Sequence, residues 1–190
     1  KKRIFDDPDY QNEHGFLLRH KTEIIGCMIG VVRGEEGWIK LFGIDQYYRR
    51  KGFGNVMLVE LEALFKSAGC SQIHVLNAAP YYFTPGLDVR YTNAFCFLKS
   101  NGYQFNNYVH NMSVDLQEND FDFSQSEQLL SNIGMGIKRL DHQDQQAYFQ
   151  WVLSTWGEGW TTESSNGLKN HPVSNFFIVD KHKAIRGFAS

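Results

Sequence analysis

Short apolar stretches separated by polar turns fill the first 44 residues of the chain. Apolar side chains dominate residues 15–20, 23–32 and 38–44, and polar or glycine-containing segments separate these stretches. Runs of this length bounded by turn residues are typical of β-strands. Because the two intervening turns are short, the pattern predicts three strands that pair as an antiparallel meander.

Farther along the chain, the apolar positions recur at helical spacing. Residues 56–68 repeat an apolar side chain every three or four positions, and Gly69 follows as a stop signal. The short apolar run 71–76 then predicts a buried strand. A strand–helix–strand crossover pairs its two strands in parallel, so the predicted sheet is mixed.

Residues 77–116 predict a long loop, a helix and two further strands. The stretch 77–90 is rich in proline and aromatic residues. It is long for a connection, which favours a functional loop. The next pattern indicates a helix over 92–100 and then two strands, 103–105 and 109–116.

The segment between the third strand and the first long helix carries the main functional signal. Three cations, Arg49, Arg50 and Lys51, precede Gly52 and Gly54. Glycine lets the backbone approach a ligand closely, and the unpaired N–H groups at a helix start favour anions. Arginine adds charge that suits bidentate contacts with phosphate. The segment therefore predicts a phosphate-binding site.

Two common phosphate-binding motifs are excluded. A Walker-type loop needs Gly-x-x-x-x-Gly-Lys-Ser/Thr, and the sequence has no such run. A dinucleotide-binding fingerprint needs a third glycine three residues after the second, and Met57 occupies that position.

The run Arg49-Arg50-Lys51-Gly52-Phe53-Gly54 resembles the Arg/Gln-x-x-Gly-x-Gly/Ala loop of the GNAT N-acetyltransferase superfamily. In that family the loop grips the pyrophosphate of acetyl-CoA. The lead-in Ile44-Asp45 with Tyr48 also matches, although Gln46 stands where proline is common. The resemblance implies an α/β (α+β) fold, with a mixed, mostly antiparallel sheet flanked by helices and splayed central parallel strands.

The same resemblance implies that acetyl-CoA is the co-substrate. The pantothenyl arm is expected between the splayed strands, held by backbone groups of Phe42 and Ile44. The full set of residues implied to bind the co-substrate is Phe42, Ile44, Arg49, Arg50, Lys51, Gly52, Phe53, Gly54, Asn55 and Asn93.

Catalysis is where the sequence departs from the family. The tyrosine that protonates the departing thiolate is replaced by Leu98, and Tyr91 or Tyr103 would have to take this role. The family's base often lies midway along the third strand, where this chain has Trp38, Lys40 and Phe42. Carboxylate candidates for the base are Glu36 and Asp88.

Two functions follow from the resemblance. The first is an N-acetyltransferase in which the amine of a small molecule attacks the thioester directly. The second is a non-catalytic acetyl-CoA-binding half of a tandem GNAT protein, with a regulatory or structural role. The intact phosphate loop is compatible with both, and Leu98 favours the second.

An internal repeat sets the predicted domain organisation. Phe16, Ile24 and Gly26 match Phe177, Ile185 and Gly187 at a constant offset of 161 residues. Upstream of the second copy, 136–140 predicts a strand and 142–156 a helix with Asp141 as its N-cap.

The predicted boundaries are a first GNAT domain at 1–117 without its opening elements, a linker at 118–134 and the start of a second GNAT-like domain at 135–190. This plan resembles tandem acetyltransferases of the mycothiol synthase type and suggests a fragment of a longer protein. Residues 135–190 could complete the first domain within one chain or, in a homodimer, from a partner chain.

Composition and charge bear on three further classes: nucleic-acid-binding, membrane-spanning and metal-binding proteins. The net charge of −2 gives no reason to expect nucleic-acid binding, and no apolar run approaches the 18 residues of a membrane span. Three cysteines without a paired spacing indicate reduced thiols and a cytoplasmic protein. The seven histidines show no zinc-binding spacing, so no metal is predicted.

Overall fold

The computed structural model describes residues 2–81, 83–110, 112–118 and 120–190. The chain forms two units, residues 1–110 and residues 111–190. Each unit combines helices with a mainly antiparallel sheet. The predicted mixed α/β class is therefore confirmed.

The sheet of the first unit has the strand order β1-β2-β3-β4. The pairs β1–β2 and β2–β3 are antiparallel, and β3–β4 is parallel. Both the meander and the crossover predicted from the pattern are confirmed. The strands are β1 (Gly15–His20), β2 (Glu23–Arg33), β3 (Glu36–Ile44) and β4 (Gln72–Val75).

Among the described residues of this unit, three α-helices and two 3-10 turns accompany the sheet. The main helix starts at Phe53, three residues before the predicted start, because Gly52 turns the chain with φ at +85°. The helices are α1 (Lys2–Phe5), α2 (Phe53–Ser67) and α3 (Thr92–Ser100), and the 3-10 turns are Asn12–His14 and Gln46–Tyr48.

Helix α2 packs on the sheet through Phe65, whose ring is fully buried. The ring lies over two glycines of neighbouring strands. A Cβ atom on Gly30 would lie 2.4 Å from Phe65 Cζ, and one on Gly37 would lie 2.5 Å from Phe65 Cδ2. These glycines are required for space, since any side chain there would meet the ring.

A β-bulge interrupts β3 at Lys40. Ile29 pairs with Leu41 and Gly30 pairs with Ile39, so Lys40 has no partner on β2. The extra residue lets Ile39 and Phe42, three positions apart, both join the core beneath α2.

The bulge coincides with the point where β3 and β4 separate. The last paired residues are Ile39 and Val75, followed by one hydrogen bond of 2.8 Å from the Leu76 N–H to the Ile39 carbonyl. β3 continues for five residues beyond this point, to Ile44. The edge of β3 that faces β4 is thus open over 40–44.

The prediction of two strands at 103–105 and 109–116 is wrong. None of the described residues of these segments belongs to a strand, and Asn111 lies outside the described residues. The apolar side chains that suggested strands are exposed, among them Phe105, Met112 and Leu116. A strand needs a neighbour for its backbone N–H and C=O groups, and composition does not supply one.

The second unit has a three-stranded antiparallel sheet in the order β5-β6-β7. The hairpin predicted from the 161-residue offset is present as β6–β7, the counterpart of β1–β2. The elements are α4 (Ser124–Asn132), β5 (Met135–Arg139), α5 (Gln145–Trp156), α6 (Glu158–Asn166), the 3-10 turn Gly167–Lys169, β6 (Phe176–Asp180) and β7 (Ile185–Ala189).

Helix α5 starts three residues later than predicted. Asp141 does not cap it, because its Oδ1 accepts hydrogen bonds from the N–H groups of Gln143 and Asp144 at 2.9 and 3.1 Å and closes a separate turn. The domain boundaries at 117 and 134 stay a prediction, and Asn119 lies outside the described residues.

A buried polar network closes the core of the second unit. The Tyr148 hydroxyl lies 2.7 Å from Ser164 Oγ, and Asn175 Nδ2 donates to the Ser164 carbonyl at 2.9 Å. Gly167 lies against this network, since a Cβ there would lie 2.1 Å from Asn175 Oδ1.

Among the helices of the described ranges, none is long and apolar enough to cross a bilayer.

Candidate functional site

The predicted phosphate loop lies between the open end of β3 and the start of α2. Arg50 and Gly52 both have positive φ, at +61° and +85°, and together they turn the chain into the helix. A non-glycine residue at positive φ is uncommon. The first helical hydrogen bond of α2 runs from the Val56 N–H to the Gly52 carbonyl at 3.2 Å. The N–H groups before it, from Phe53 to Asn55, have no acceptor within the helix and point out of its start.

The residues before the loop form a turn that is held by hydrogen bonds. The Asp45 N–H donates to the Ile25 carbonyl at 2.8 Å, which fixes the turn to β2. Asp45 Oδ1 accepts from the Tyr47 N–H at 2.9 Å, and the Asp45 carbonyl accepts from the Tyr48 N–H at 2.9 Å. Asp45 therefore positions the 3-10 turn from which the three cations follow.

The three cations of the loop have different surroundings. Arg49 Nε donates to the Ile44 carbonyl at 2.9 Å. Lys51 Nζ lies 5.2 Å from the centre of the Tyr48 ring, and Arg50 is exposed. Because Arg49 occupies the carbonyl of Ile44, a bound pantothenyl amide would have to compete with it for that group.

Helix α3 lies close to the start of α2. A Cβ on Gly54 would lie 3.2 Å from Phe97 Cε2, and Asn55 Oδ1 accepts from Asn101 Nδ2 at 3.2 Å. The rings of Phe42 and Phe97 are 6.5 Å apart. Most of the predicted co-substrate residues are thus close together, and Asn93 is exposed in the first turn of α3.

The catalytic candidate Glu36 lies at the other end of β3 from the phosphate loop. Ile44 lies eight positions farther along β3, which corresponds to about 26 Å along a strand. Its Oε1 is 3.7 Å from His74 Nε2, and the His74 ring stacks on Trp38 at 5.0 Å. Glu36 is therefore remote from the loop.

Asp88 is held by Arg90 in an exposed ion pair. Arg90 Nη2 lies 2.6 Å from Asp88 Oδ2, and the Arg90 N–H donates to Asp88 Oδ1 at 2.9 Å. The Arg90 hydrogen bonds lower the pKa of Asp88 from its ordinary 3.8 to about 2. A carboxylate with so low a pKa is a weak general base.

Replacing Arg90 with glutamine is expected to raise the Asp88 pKa toward its ordinary value, because the side-chain hydrogen bonds and the positive charge are lost. The titration of the Asp88 carboxyl carbon, followed by NMR from pH 1.5 to 6, measures this shift. A midpoint that stays near its present position in Arg90→Gln would show that Arg90 is not its cause. Lys99→Gln, which removes a distant exposed cation, is the matched control.

The two tyrosine candidates for the acid are not equivalent. Tyr91 is 63% exposed at the N-cap of α3. The Tyr103 hydroxyl donates to Glu62 Oε1 on α2 at 2.8 Å, and burial together with this carboxylate raises the Tyr103 pKa. Leu98, at the family's acid position, is buried with 8% exposure. Tyr91 is the freer of the two tyrosines.

Sequence reasoning missed a buried ionic cluster centred on Asp7. Lys40 Nζ is hydrogen bonded to Asp7 Oδ2, and Arg33 Nη2 donates to the same oxygen at 2.8 Å. Lys40 Nζ also lies 3.4 Å from the Pro80 carbonyl. Burial lowers the pKa of Lys40, and the bond to Asp7 acts in the opposite direction. Asp7 and Lys40 are 33 residues apart, so no local pattern links them.

Comparison with known proteins fits this geometry. Residues 2–82 match the model of the acetyltransferase (GNAT) family. The matched stretch lies within the first unit and includes the predicted phosphate loop. No curated protein matches the sequence.

A solved structure has a similar fold over most of the chain. The chain is similar to a fungal multi-domain GH3 β-N-acetylglucosaminidase described as having a GCN5-related glucosamine N-acetyltransferase region, at 16% identity and a TM-score of 0.74. The match covers 92% of this chain and 22% of that one, so this chain spans about a fifth of that relative's length. This likeness supports the GNAT fold.

Smaller acetyltransferases match about half of the chain. The aminoglycoside 6′-N-acetyltransferase AAC(6′)-IG from Acinetobacter haemolyticus is 14% identical, with a TM-score of 0.42 over 55% of this chain and 73% of that chain. The ribosomal-protein-S18-alanine N-acetyltransferase from Escherichia coli is 18% identical, with a TM-score of 0.41 over 51% of this chain and 57% of that chain.

Proposed function

We propose that the GNAT domain of this chain binds acetyl-CoA and transfers the acetyl group to the amine of a small molecule. The observation that carries the proposal is the start of α2 at Gly52, with φ at +85°, beside three cations and the open edge of β3. This arrangement provides backbone donors and positive charge for a pyrophosphate.

The open edge of β3 suits the amide-bearing arm of the co-substrate. Over 40–44 the backbone has no β4 neighbour, so its N–H and C=O groups on that edge could pair with a ligand, although Arg49 already donates to the Ile44 carbonyl. Binding there would align the arm with β3, between the phosphate loop and the bulge at Lys40. Acetyl-CoA supplies an activated thioester, and the strand orients it.

The proposed reaction is direct attack. The acceptor nitrogen forms a bond to the thioester carbonyl carbon, the carbon–sulfur bond breaks, and the nitrogen loses a proton. Tyr91 is the proposed acid for the thiolate. Of the two carboxylate candidates for the base, Arg90 makes Asp88 a weak one and Glu36 lies at the far end of β3 from the phosphate loop, so the proton of the nitrogen is proposed to pass to water. Positioning alone can contribute much of the rate, because a thiolate leaves readily.

A second function is favoured by one observation. Leu98 is buried at the position where the family has its acid, and it cannot donate a proton. We therefore keep a non-catalytic acetyl-CoA-binding half of a tandem GNAT protein as the alternative. Thiol release with glucosamine or an aminoglycoside as acceptor separates the two, because only the enzyme gives acceptor-dependent release.

The binding site itself is tested by the double change Arg49→Ala and Lys51→Ala. We expect acetyl-CoA affinity to fall by at least about tenfold, since charge-assisted hydrogen bonds to phosphate are each worth roughly 1.5–3 kcal/mol. Isothermal titration calorimetry measures this change. The control is Lys66→Ala, which removes an exposed cation from the far end of α2. Equal affinity of the double variant and the control would contradict the site.

A further inference from the structure

The ammonium group of Lys40 joins three segments of the first unit. Its side chain is 1% exposed, and Nζ is hydrogen bonded to Asp7 Oδ2 in the N-terminal turn. Nζ also donates to the carbonyl of the buried Pro80 at 3.4 Å. Pro80 belongs to the β4–α3 loop, of which residues 77–81 and 83–90 are described. The buried cation thus ties this loop to β3.

The backbone of the β4–α3 loop is strained on both sides of Pro80. Three non-glycine residues there have positive φ, between +38° and +65°: Leu76, Asn77 and Tyr81. Such conformations are costly and persist where the surrounding structure holds them. The hydrogen bond from the Asn77 N–H to the Thr84 carbonyl, at 3.2 Å, runs within the loop and does not fix it to the sheet. The bond from Lys40 to Pro80 does fix it.

The anchored loop begins where β3 and β4 separate. Ile39 is the last residue of β3 that pairs with β4, and the open edge runs from Lys40 to Ile44. The phosphate loop follows Ile44, so acetyl-CoA aligned with the open edge would have its thioester toward Lys40. An amine that attacks the thioester must then approach past the β4–α3 loop. Tyr91, the proposed acid, directly follows this loop.

We infer that Lys40 is a positioning residue, which holds the β4–α3 loop through the Pro80 carbonyl where the acceptor amine binds. The inference rests on the proposed function, since the loop meets an acceptor only if acetyl-CoA lies along β3. Because the ammonium group is buried, it acts through the loop and does not touch the reactants. Its loss should weaken the use of the acceptor and leave the affinity for acetyl-CoA unchanged.

Two variants test the inference in the whole chain. Lys40→Met leaves the Asp7 carboxylate paired with Arg33, and Asp7→Leu with Lys40→Met replaces both buried charges, a change that usually preserves stability. Steady-state kinetics with glucosamine or kanamycin as acceptor gives the acceptor KM, and calorimetry gives the acetyl-CoA affinity. We expect both variants to raise the acceptor KM about tenfold, because small displacements of positioning groups change rates by such factors.

Trypsin cleavage after Arg90 reports the state of the loop without requiring activity. The Arg90 side chain is 84% exposed at the end of the loop. We expect both variants to be cleaved there at least about fivefold faster than the wild type, since cleavage follows the population of the open loop. Cleavage after Lys66, which lies within α2, requires unfolding of the helix and should stay unchanged.

Asp9→Ala is the matched control. It removes the partly exposed carboxylate bound to Arg33 and leaves the bond from Lys40 to Pro80 in place, so the acceptor KM and the cleavage after Arg90 should match the wild type.

Four outcomes would overturn the inference. An unchanged acceptor KM or an unchanged cleavage rate after Arg90 in the double variant would show that Lys40 does not position the loop. A matching loss of acetyl-CoA affinity, or faster cleavage after Lys66, would show general distortion instead. If the wild type releases no thiol with either acceptor, the proposed transfer reaction fails, and the role of Lys40 toward the acceptor fails with it.

Discussion

The substitution Asp7→Ala is expected to lower the free energy of unfolding by about 3–5 kcal/mol, the usual cost of removing one partner of a buried ion pair. The side chains of Asp7 and Lys40 are 0% and 1% exposed. Without the carboxylate, the Lys40 ammonium stays buried beside one carbonyl, that of Pro80 at 3.4 Å. Chemical denaturation followed by circular dichroism measures the loss.

Two further variants test whether burial of the Asp7–Lys40 pair causes this loss of stability. Asp9→Ala removes the other carboxylate bound to Arg33, but the Asp9 side chain is 39% exposed, so a cost below about 1 kcal/mol is expected. Asp7→Leu combined with Lys40→Met replaces the pair with apolar groups and should recover most of the stability. Equal losses in Asp7→Ala and Asp9→Ala would show that burial does not decide the effect.

The substitution Phe65→Ala is expected to cost about 3–5 kcal/mol, as for other fully buried aromatic residues replaced by alanine. The ring fills the space over Gly30 and Gly37, so its removal leaves a cavity between α2 and the sheet. Val59→Ala on the exposed face of the same helix is the control and should cost well under 1 kcal/mol.

The packing of Phe65 on glycine predicts a coupling. In the wild type, Gly37→Ala places a Cβ 2.5 Å from the ring and should cost about 1–3 kcal/mol. In the Phe65→Ala background the clash is absent, so the same change should cost little. A double-mutant cycle measures the difference, and additive effects would show that the ring and Gly37 do not interact.

The parts of the fold that local patterns determine were predictable. The strands β1, β2 and β3 follow from apolar runs bounded by turn residues, and α2 follows from its helical periodicity. The phosphate loop was recognisable because its glycines and cations are contiguous in sequence, between a strand and a helix. The second hairpin, β6–β7, followed from the constant offset alone.

Features that depend on distant partners were not predictable. Residues 109–116 have strand composition, but whether a strand forms depends on a neighbouring edge, which composition does not specify. The start of α5 was misplaced because the Asp141 carboxylate closes a turn of its own instead of capping the helix. The buried pair of Asp7 and Lys40 joins residues from separate elements.

The candidate site also has a part that the local sequence predicts and a part that depends on the folded structure. Positions from Arg49 to Asn55 could be assigned because the family motif is local. The acid and base could not, since Leu98 breaks the family pattern and proton transfer depends on three-dimensional surroundings. The low pKa of Asp88 arises from Arg90 two residues away, but only the folded loop brings their side chains together.

The bulge at Lys40 has a consequence for how β3 tolerates changes in length. Leu41 pairs with Ile29 and Ile39 pairs with the next residue, Gly30, so the ladder would be continuous if Lys40 were absent. Lys40 is thus a surplus residue for strand pairing, whereas loss of Ile39 would place the Lys40 side chain at a pairing position that an apolar core residue now occupies. Its place in the strand is explained by its ammonium group, which joins the N-terminal turn at Asp7 to the centre of the sheet.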